Sequence, residues 1–358
     1  MPLIPEGHER RRINRIMEAA ISDFKLDLRG IGVLTEAASG YFATTPLLAA
    51  LAGADPIFAV GRDSRYGSYE EIAREIEVWA EELKVGGRII FQQGRPSLNQ
   101  AKIDLVTNLG FVRPIDRSLL ELLTSSAVVS LMWEPWEFRA EDIDIASCEH
   151  LGIPVLGTCE THPRLRTYDY LAFVAARLML ERGVEVFRSR IVIIGSDPFG
   201  SSIQKGLLEM SASEVALIRP DDGHVAELYA RRASPADAVV IAEHRASEMV
   251  VGGARGIDPR ELVRDGTVLV HICGNVDIES IRAFGLPIHP DPPAPYGKMT
   301  VTTDYAGPTP VIDLHAAGLK VGEIGVRNRR HGREAAESNV GAAASDLAIP
   351  VHFRTPAS

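Results

Sequence analysis

The chain has 358 residues, 46% of them hydrophobic and 24% charged, with a formal net charge of −10. An acidic balance disfavours nucleic-acid and anionic-membrane partners, because gripping phosphates needs a basic face. The length predicts two domains, each large enough to bury a core unaided. There is no apolar run of the roughly 18 residues that a spanning helix needs, and the opening "MPLIPEGHERRRINRIMEAAI" has no apolar core of signal-peptide length. The cysteines are Cys148, Cys159 and Cys273. Their small number and scatter fit a reducing cytoplasm, and no CxxC or HExxH spacing supports a metal site.

In chain order, "IGVLTEA" (31–37) reads as a buried strand and "TPLLAALAGA" (45–54) as a helix. "PIFAVGRD" (56–63) is a strand, and "SYEEIAREIEVWAEELK" (68–84) an amphipathic helix with Ile72, Ile76, Trp79 and Leu83 on one face. Ser68 is placed to cap it, with Glu70 and Glu71 in its first turn. "RIIFQQG" (88–94), "SAVVSLMW" (126–133) and "IPVLGT" (153–158) are further strands. A long helix is expected over 168–183. A second strand series follows: 190–195, 214–219, 237–243, 267–273 and 299–304. The last clear helix spans 309–327, and a short strand is expected at 348–353. Strands alternating with helices predict α/β architecture with parallel sheets covered on both faces. The expected organisation is two Rossmann-like parallel-sheet domains with a cleft between them. Residues 1–165 form the first, substrate-type domain and 166–308 a nucleotide-binding domain. Residues 309–358 hold a return helix to the first domain and a tail.

"IIGSDPFGSSIQKGLL" (193–208) carries the sharpest signal. A buried strand, a glycine turn and an amphipathic helix are the setting of a dinucleotide's pyrophosphate. Gly195 and Gly200 match the outer glycines of G-x-G-x-x-G, and Asp197 stands in place of the middle one. A carboxylate about 4 Å from a phosphate charge costs about 4 kcal/mol at an effective dielectric near 20. Asp197 followed by Pro198 also reads as a helix N-cap, and the two roles can coexist. The next strand ends in Arg219, which suits the 2′-phosphate of NADP. Asp221 and Asp222 follow within reach of a ribose.

From about 140 to 327 the chain resembles the D-2-hydroxyacid dehydrogenases (formate and glycerate dehydrogenase-like). The resemblance rests on "AEDIDIASCEHLGIPVLGTCETHPRLRTYDYLAFVAARLML" (140–180), the glycine turn, "IDPRELVRDGTVLVH" (257–271) and "TVTTDYAGPT" (300–309). It implies a nicotinamide cofactor, NAD or NADP, a ligand between the domains, and a homodimer. The family's catalytic Arg, Glu and His are not retained. "HICGNVD" (271–277) has no arginine, Asp291 stands for the glutamate and Asp304 for the histidine. An untuned aspartate has a pKa near 4, too low for an acid at neutral pH but suited to a base or a cation clamp.

Other candidates sit at strand ends, where open α/β sheets take ligands. Glu160 and His162 in "GTCETHPR" are an acid–base pair. Glu134 and Arg139 in "MWEPWEFR", Arg62 in "GRDSR" and Tyr41 in "TEAASGYF" are substrate-binding candidates, and the same stretch offers Glu36 and Ser39 at a strand end. Cys273 joins the cofactor-binding set with Gly195, Asp197, Gly200 and Arg219. The functional expectation is a divergent NAD(P)-dependent oxidoreductase for a small polar metabolite. A non-redox biosynthetic enzyme, using another nucleotide or none, and a catalytically silent ligand-binding protein are the alternatives.

Overall fold

The computed structural model describes residues 3–95, 102–133, 141–231 and 234–334, and the backbone of 348–350. The elements in chain order are α1 (Gly7–Phe24), β1 (Val33–Glu36), α2 (Thr44–Leu51), β2 (Ile57–Gly61), α3 (Tyr69–Glu82), β3 (Ile89–Gln93), β4 (Leu105–Thr107), α4 (Arg117–Leu120), β5 (Val128–Ser130), α5 (Ile145–His150) and β6 (Val155–Thr158). Then come α6 (Leu171–Glu181), β7 (Arg190–Ile194), α7 (Phe199–Glu209), β8 (Glu214–Ile218), α8 (Val225–Ala230), β9 (Ala238–Ala242), β10 (Met249–Val251), α9 (Pro259–Asp265), β11 (Val268–Cys273), β12 (Asn275–Val276), α10 (Ile278–Ala283) and β13 (Ile288–His289). The long α11 (Pro308–Arg330) and the short β14 (Ala348–Pro350) complete the chain. By internal contacts it divides into two units, one of Met1–Leu165 with Pro308–Ser358, the other of Arg166–Gly307.

The first unit is built on a seven-stranded sheet ordered β14-β6-β5-β4-β1-β2-β3. β1 to β6 pair in parallel, and β14 runs antiparallel along β6. Every residue of β1, β2, β4, β5 and β6 is buried. Strands buried along their whole length are what a sheet covered on both faces requires. Pro350 falls on the edge strand, where the missing N–H breaks no central ladder. Without β14 the order is 3-2-1-4-5-6, so the topological switch point lies between β1 and β4.

Helix α11 lies against β4, β5 and β6 along a glycine stripe. A Cβ added at Gly318 would come 2.6 Å from Met132 Cε, at Gly322 2.3 Å from Leu105 Cδ1, and at Gly325 2.8 Å from Leu156 Cδ1. These glycines let the helix backbone approach the sheet. Helix α1 buries Ile13, Met17, Ala20 and Phe24 at helical spacing. Its periodicity is as clear as that of α3, where Ser68 Oγ accepts the Glu71 N–H at 3.3 Å as expected.

The second unit carries a five-stranded sheet ordered β13-β11-β9-β7-β8, parallel throughout. Its switch point lies between β7 and β9. Residues 299–304 do not form the expected strand. Met299 makes one antiparallel bridge to Cys273, and Thr303–Ala306 is a 3-10 turn. Thr300 is anchored by its side chain instead: its hydroxyl meets His271 Nδ1 at 2.7 Å and accepts the Ala294 N–H at 2.8 Å.

Candidate functional site

In the second unit, β7 delivers Gly195 to the switch point and α7 starts just beyond it. A Cβ on Gly195 would stand 2.6 Å from Ala242 O, and one on Gly200 2.5 Å from Gly195 O. Both outer glycines are therefore required for the strand, turn and helix to pack this closely. Helix α7 begins at Phe199, one residue later than an Asp197 N-cap implies, with Pro198 at the cap position. The carboxylate still caps: Asp197 Oδ1 accepts the Ser201 N–H at 3.2 Å.

Asp197 and Arg219 meet. Arg219 Nε donates to Asp197 Oδ2 at 3.1 Å, closing a partly exposed ion pair between the ends of β7 and β8. Burial works to raise the Asp197 carboxyl, but hydrogen bonds from Ser201 and the Arg219 charge outweigh it and hold it below the usual aspartate value. The turn is thus closed by a neutral pair. Its helix N–H groups are also committed: Gly200 N donates to Ser196 O, Ser201 N to Asp197 and Ser202 N to Pro198 O. Ser196 Oγ donates to Glu243 Oε2 at 2.8 Å. Glu243, just past the end of β9 and fully buried, also accepts the Arg245 and Ala246 N–H groups at 2.6 and 2.8 Å.

This arrangement bears directly on a dinucleotide. Gly195 and Gly200 give the tight strand–turn–helix packing of a dinucleotide turn, Asp197 replaces the glycine that admits the pyrophosphate, and Arg219 supplies a cation at the turn. The Gly200, Ser201 and Ser202 N–H groups are taken by the chain itself, so a diphosphate that uses Ser201 and Arg219 has to displace Asp197 from both.

The remaining second-unit candidates lie apart in role. Asp304 sits in the Thr303–Ala306 turn, where burial pushes its carboxyl above the usual aspartate value against a hydrogen bond from Thr302. The neighbouring Tyr305 donates to Glu181 at 2.7 Å, and Glu181 also meets His289 Nε2 at 2.8 Å and Arg177 Nε at 3.1 Å. Asp291 is exposed and pairs with Arg282 at 2.8 Å. Cys273 is buried at the end of β11, past a register shift that separates it from His271 in the ladder. Burial lowers His271 to about 4, so it is neutral near pH 7.

In the first unit, Glu160 and His162 are both buried, and His162 Nδ1 accepts the Arg164 N–H at 3.2 Å. Tyr41 donates to Glu9 at 3.1 Å. Glu134 and Arg139 lie outside the described residues. Arg62 follows β2 at the rim of a cavity of about 160 Å³, on the carboxyl edge of the sheet. The ends of β3 and β4 bring Arg95 and Arg113 to the same cavity, with Phe111, Val112 and Leu119 as its apolar wall.

Behind that wall, at the switch point, Glu36 ends β1. It is buried, and its Oε2 accepts the Phe111 N–H at 3.0 Å. Burial pushes the Glu36 carboxyl up, while the Phe111 and Gly110 amides and the Arg113 and Arg62 charges work against the rise. Arg113 lies over the Trp133 ring at 5.2 Å and pairs with Asp142. Glu36 is offered by the sequence as a strand-end residue beside Tyr41, whereas Arg113, Glu181 and Glu243 are not among the residues that sequence reasoning selects. Glu243 carries the same readable signal as Glu36, a carboxylate at the end of an apolar strand.

No family model matches the chain, and no curated protein matches its sequence. Among solved structures, a dipicolinate synthase component from Bacillus halodurans is similar at 10% identity with a TM-score of 0.50, covering 81% of this chain and 96% of that one. Its counterpart, dipicolinate synthase from Bacillus subtilis, is similar at 11% identity and a TM-score of 0.52, covering 85% and 99%. NAD-dependent formate dehydrogenase from Staphylococcus aureus, in complex with NAD, is similar at 11% identity and a TM-score of 0.38, covering 85% and 96%. At such identities the likeness is one of architecture alone. The chain shares the fold of these dipicolinate synthase chains, with two α/β units built on largely parallel sheets.

Proposed function

We propose that the protein is an enzyme, an NAD(P)-dependent oxidoreductase that acts on a small polar metabolite with an altered acid–base apparatus. The observation that carries this reading is the β7–α7 turn, where Gly195 and Gly200 each stand too close to backbone for a Cβ. Gly195, Gly200 and Arg219 would hold the cofactor, which when bound supplies hydride transfer. Asp304 holds the proton in the place the family gives to histidine: burial keeps its carboxyl above the ordinary aspartate value, which moves it toward use as an acid. The same reading carries a cytoplasmic homodimer. Exposed Phe173 and Leu180 on one face of α6 support the dimer. Among the described residues no helix is long and apolar enough to cross a membrane.

A second reading, a non-redox biosynthetic enzyme on the same scaffold, is favoured by the committed N–H groups of Gly200, Ser201 and Ser202. Purified protein decides between them. Absorbance near 340 nm, mass spectrometry of a denatured extract, and thermal shifts with NADH, NADPH, ATP and S-adenosylmethionine are the measurements. A co-purified nicotinamide cofactor, or a shift with NADH or NADPH alone, supports the oxidoreductase. The absence of both rejects it in favour of the non-redox reading.

A further inference from the structure

We propose that the cavity on the carboxyl edge of the first sheet is a binding site for a small organic anion, a carboxylate or phosphate monoester on a compact apolar body. Its head would lie against Arg62 and Arg113 and its body against Phe111. The cavity lining contains Arg62, Arg95 and Arg113 and no carboxylate. The carboxylates that balance two of these cations engage them individually: Asp142 pairs with Arg113 and Asp116 with Arg95. Arg62 is exposed and makes no ion pair among the described residues. Its guanidinium is held over the Phe111 ring, 5.3 Å from the centroid. Arg113 is mostly buried, and its guanidinium is held over the Trp133 ring, 5.2 Å from the centroid. A carboxylate or phosphate oxygen is the partner that a guanidinium at a cavity wall fits.

Size and shape narrow the class. A volume of about 160 Å³ is close to the roughly 150 Å³ that holds a benzene ring in an apolar cavity. It is well under the roughly 300–1,000 Å³ of sites for drug-sized ligands, so it matches a small head group and ring rather than a dinucleotide. Phe111, Val112 and Leu119 offer apolar surface to the ligand's body. Glu36 acts as a positioning residue. Its carboxyl fixes the Phe111 amide, and both it and Arg113 approach Gly110: a Cβ there would be 3.6 Å from Glu36 Oε2 and 3.8 Å from Arg113 Nη2. The pocket belongs to the first unit alone, so it stands whether or not the second unit takes a nicotinamide cofactor.

The test is titration calorimetry on the full chain, without any nucleotide, using benzoate, phenyl phosphate and the neutral isostere benzamide. Benzoate or phenyl phosphate should bind and benzamide should not. The better of the two anions tells carboxylate from phosphate. Arg62→Ala should weaken binding about tenfold or more, and Arg62→Lys should restore part of it. The melting temperature should be unchanged, because the side chain is exposed. Equal binding of benzamide, no binding of either anion, or undiminished binding by Arg62→Ala would each overturn the proposal.

Discussion

Removing the Asp197 carboxylate should turn the second unit into a better dinucleotide binder. The pair with Arg219 is 49% exposed on the aspartate side and 37% on the arginine side, so it contributes no more than about 1 kcal/mol to stability. Losing the Ser201 cap to glycine adds a few tenths. Asp197→Gly should therefore fold, with a loss of about 1–1.5 kcal/mol. The gain lies in the electrostatics. A carboxylate about 4 Å from a diphosphate charge costs about 1 kcal/mol in water and about 4 at an effective dielectric of 20. A half-exposed turn sits between these limits, so removal is worth about five- to a thousand-fold in affinity. Asp197→Asn separates the contributions, since its amide oxygen can still accept the Ser201 N–H while the charge is gone. NADH binding, followed by nicotinamide fluorescence, should tighten in both variants, and more in the glycine variant, where the middle position also loses bulk. Adding Arg219→Ala should cancel much of the gain. If neither single variant binds NADH at least fivefold more tightly than the parent chain, the carboxylate is not the obstacle and the reasoning fails.

Three further outcomes follow from the packing and the buried carboxyls. Gly322→Ala should destabilise the first unit by about 1–3 kcal/mol despite the helix propensity gained, because its Cβ would stand 2.3 Å from Leu105 Cδ1. Combination with Leu105→Ala should show a favourable coupling energy in a double-mutant cycle. Asp313 on α11 is raised to about 7 by burial and by Asp23. Its folded value exceeds the unfolded one of about 3.9, so its neutral form favours the native state and stability is lost as pH rises through the window from about 4 to 7. Asp313→Asn should gain up to about 4 kcal/mol over the parent at pH 8 and nothing below pH 4; denaturant midpoints at both pH values read this directly. Asp304 is also raised, by burial, so Asp304→Asn should likewise stabilise at neutral pH, with the advantage vanishing in acid. Under the oxidoreductase reading the same variant should lose turnover, whereas unchanged turnover would remove Asp304 from the chemistry.

The strands are legible because their apolar residues are adjacent in sequence. β1, β2 and β7 fall inside the runs 31–37, 56–63 and 190–195. The segment 299–304 misleads because Thr and Val suit a strand, while the Thr300 hydroxyl is spent on His271 and Ala294. Helix α1 carries a helical repeat of buried residues, but its basic cluster at the chain start draws attention to leader sequences instead. Arg62 is readable as a cation after a strand. Arg113 is not, because its partner Asp142 lies 29 positions away and no local pattern links them.

The amino-acid order by itself determined that apolar strands alternate with amphipathic helices, and that a carboxylate replaces a glycine in the turn at 195–200. Both are local facts of residue type and spacing. Only the tertiary structure decided what the carboxylate does. Parallel pairing of β7 with β8 brings Arg219, 22 residues on, to within 3.1 Å of Asp197. A charge read alone as an obstacle to phosphate becomes half of a neutral pair. Pairing across a sheet depends on register and strand order, which residue spacing does not encode.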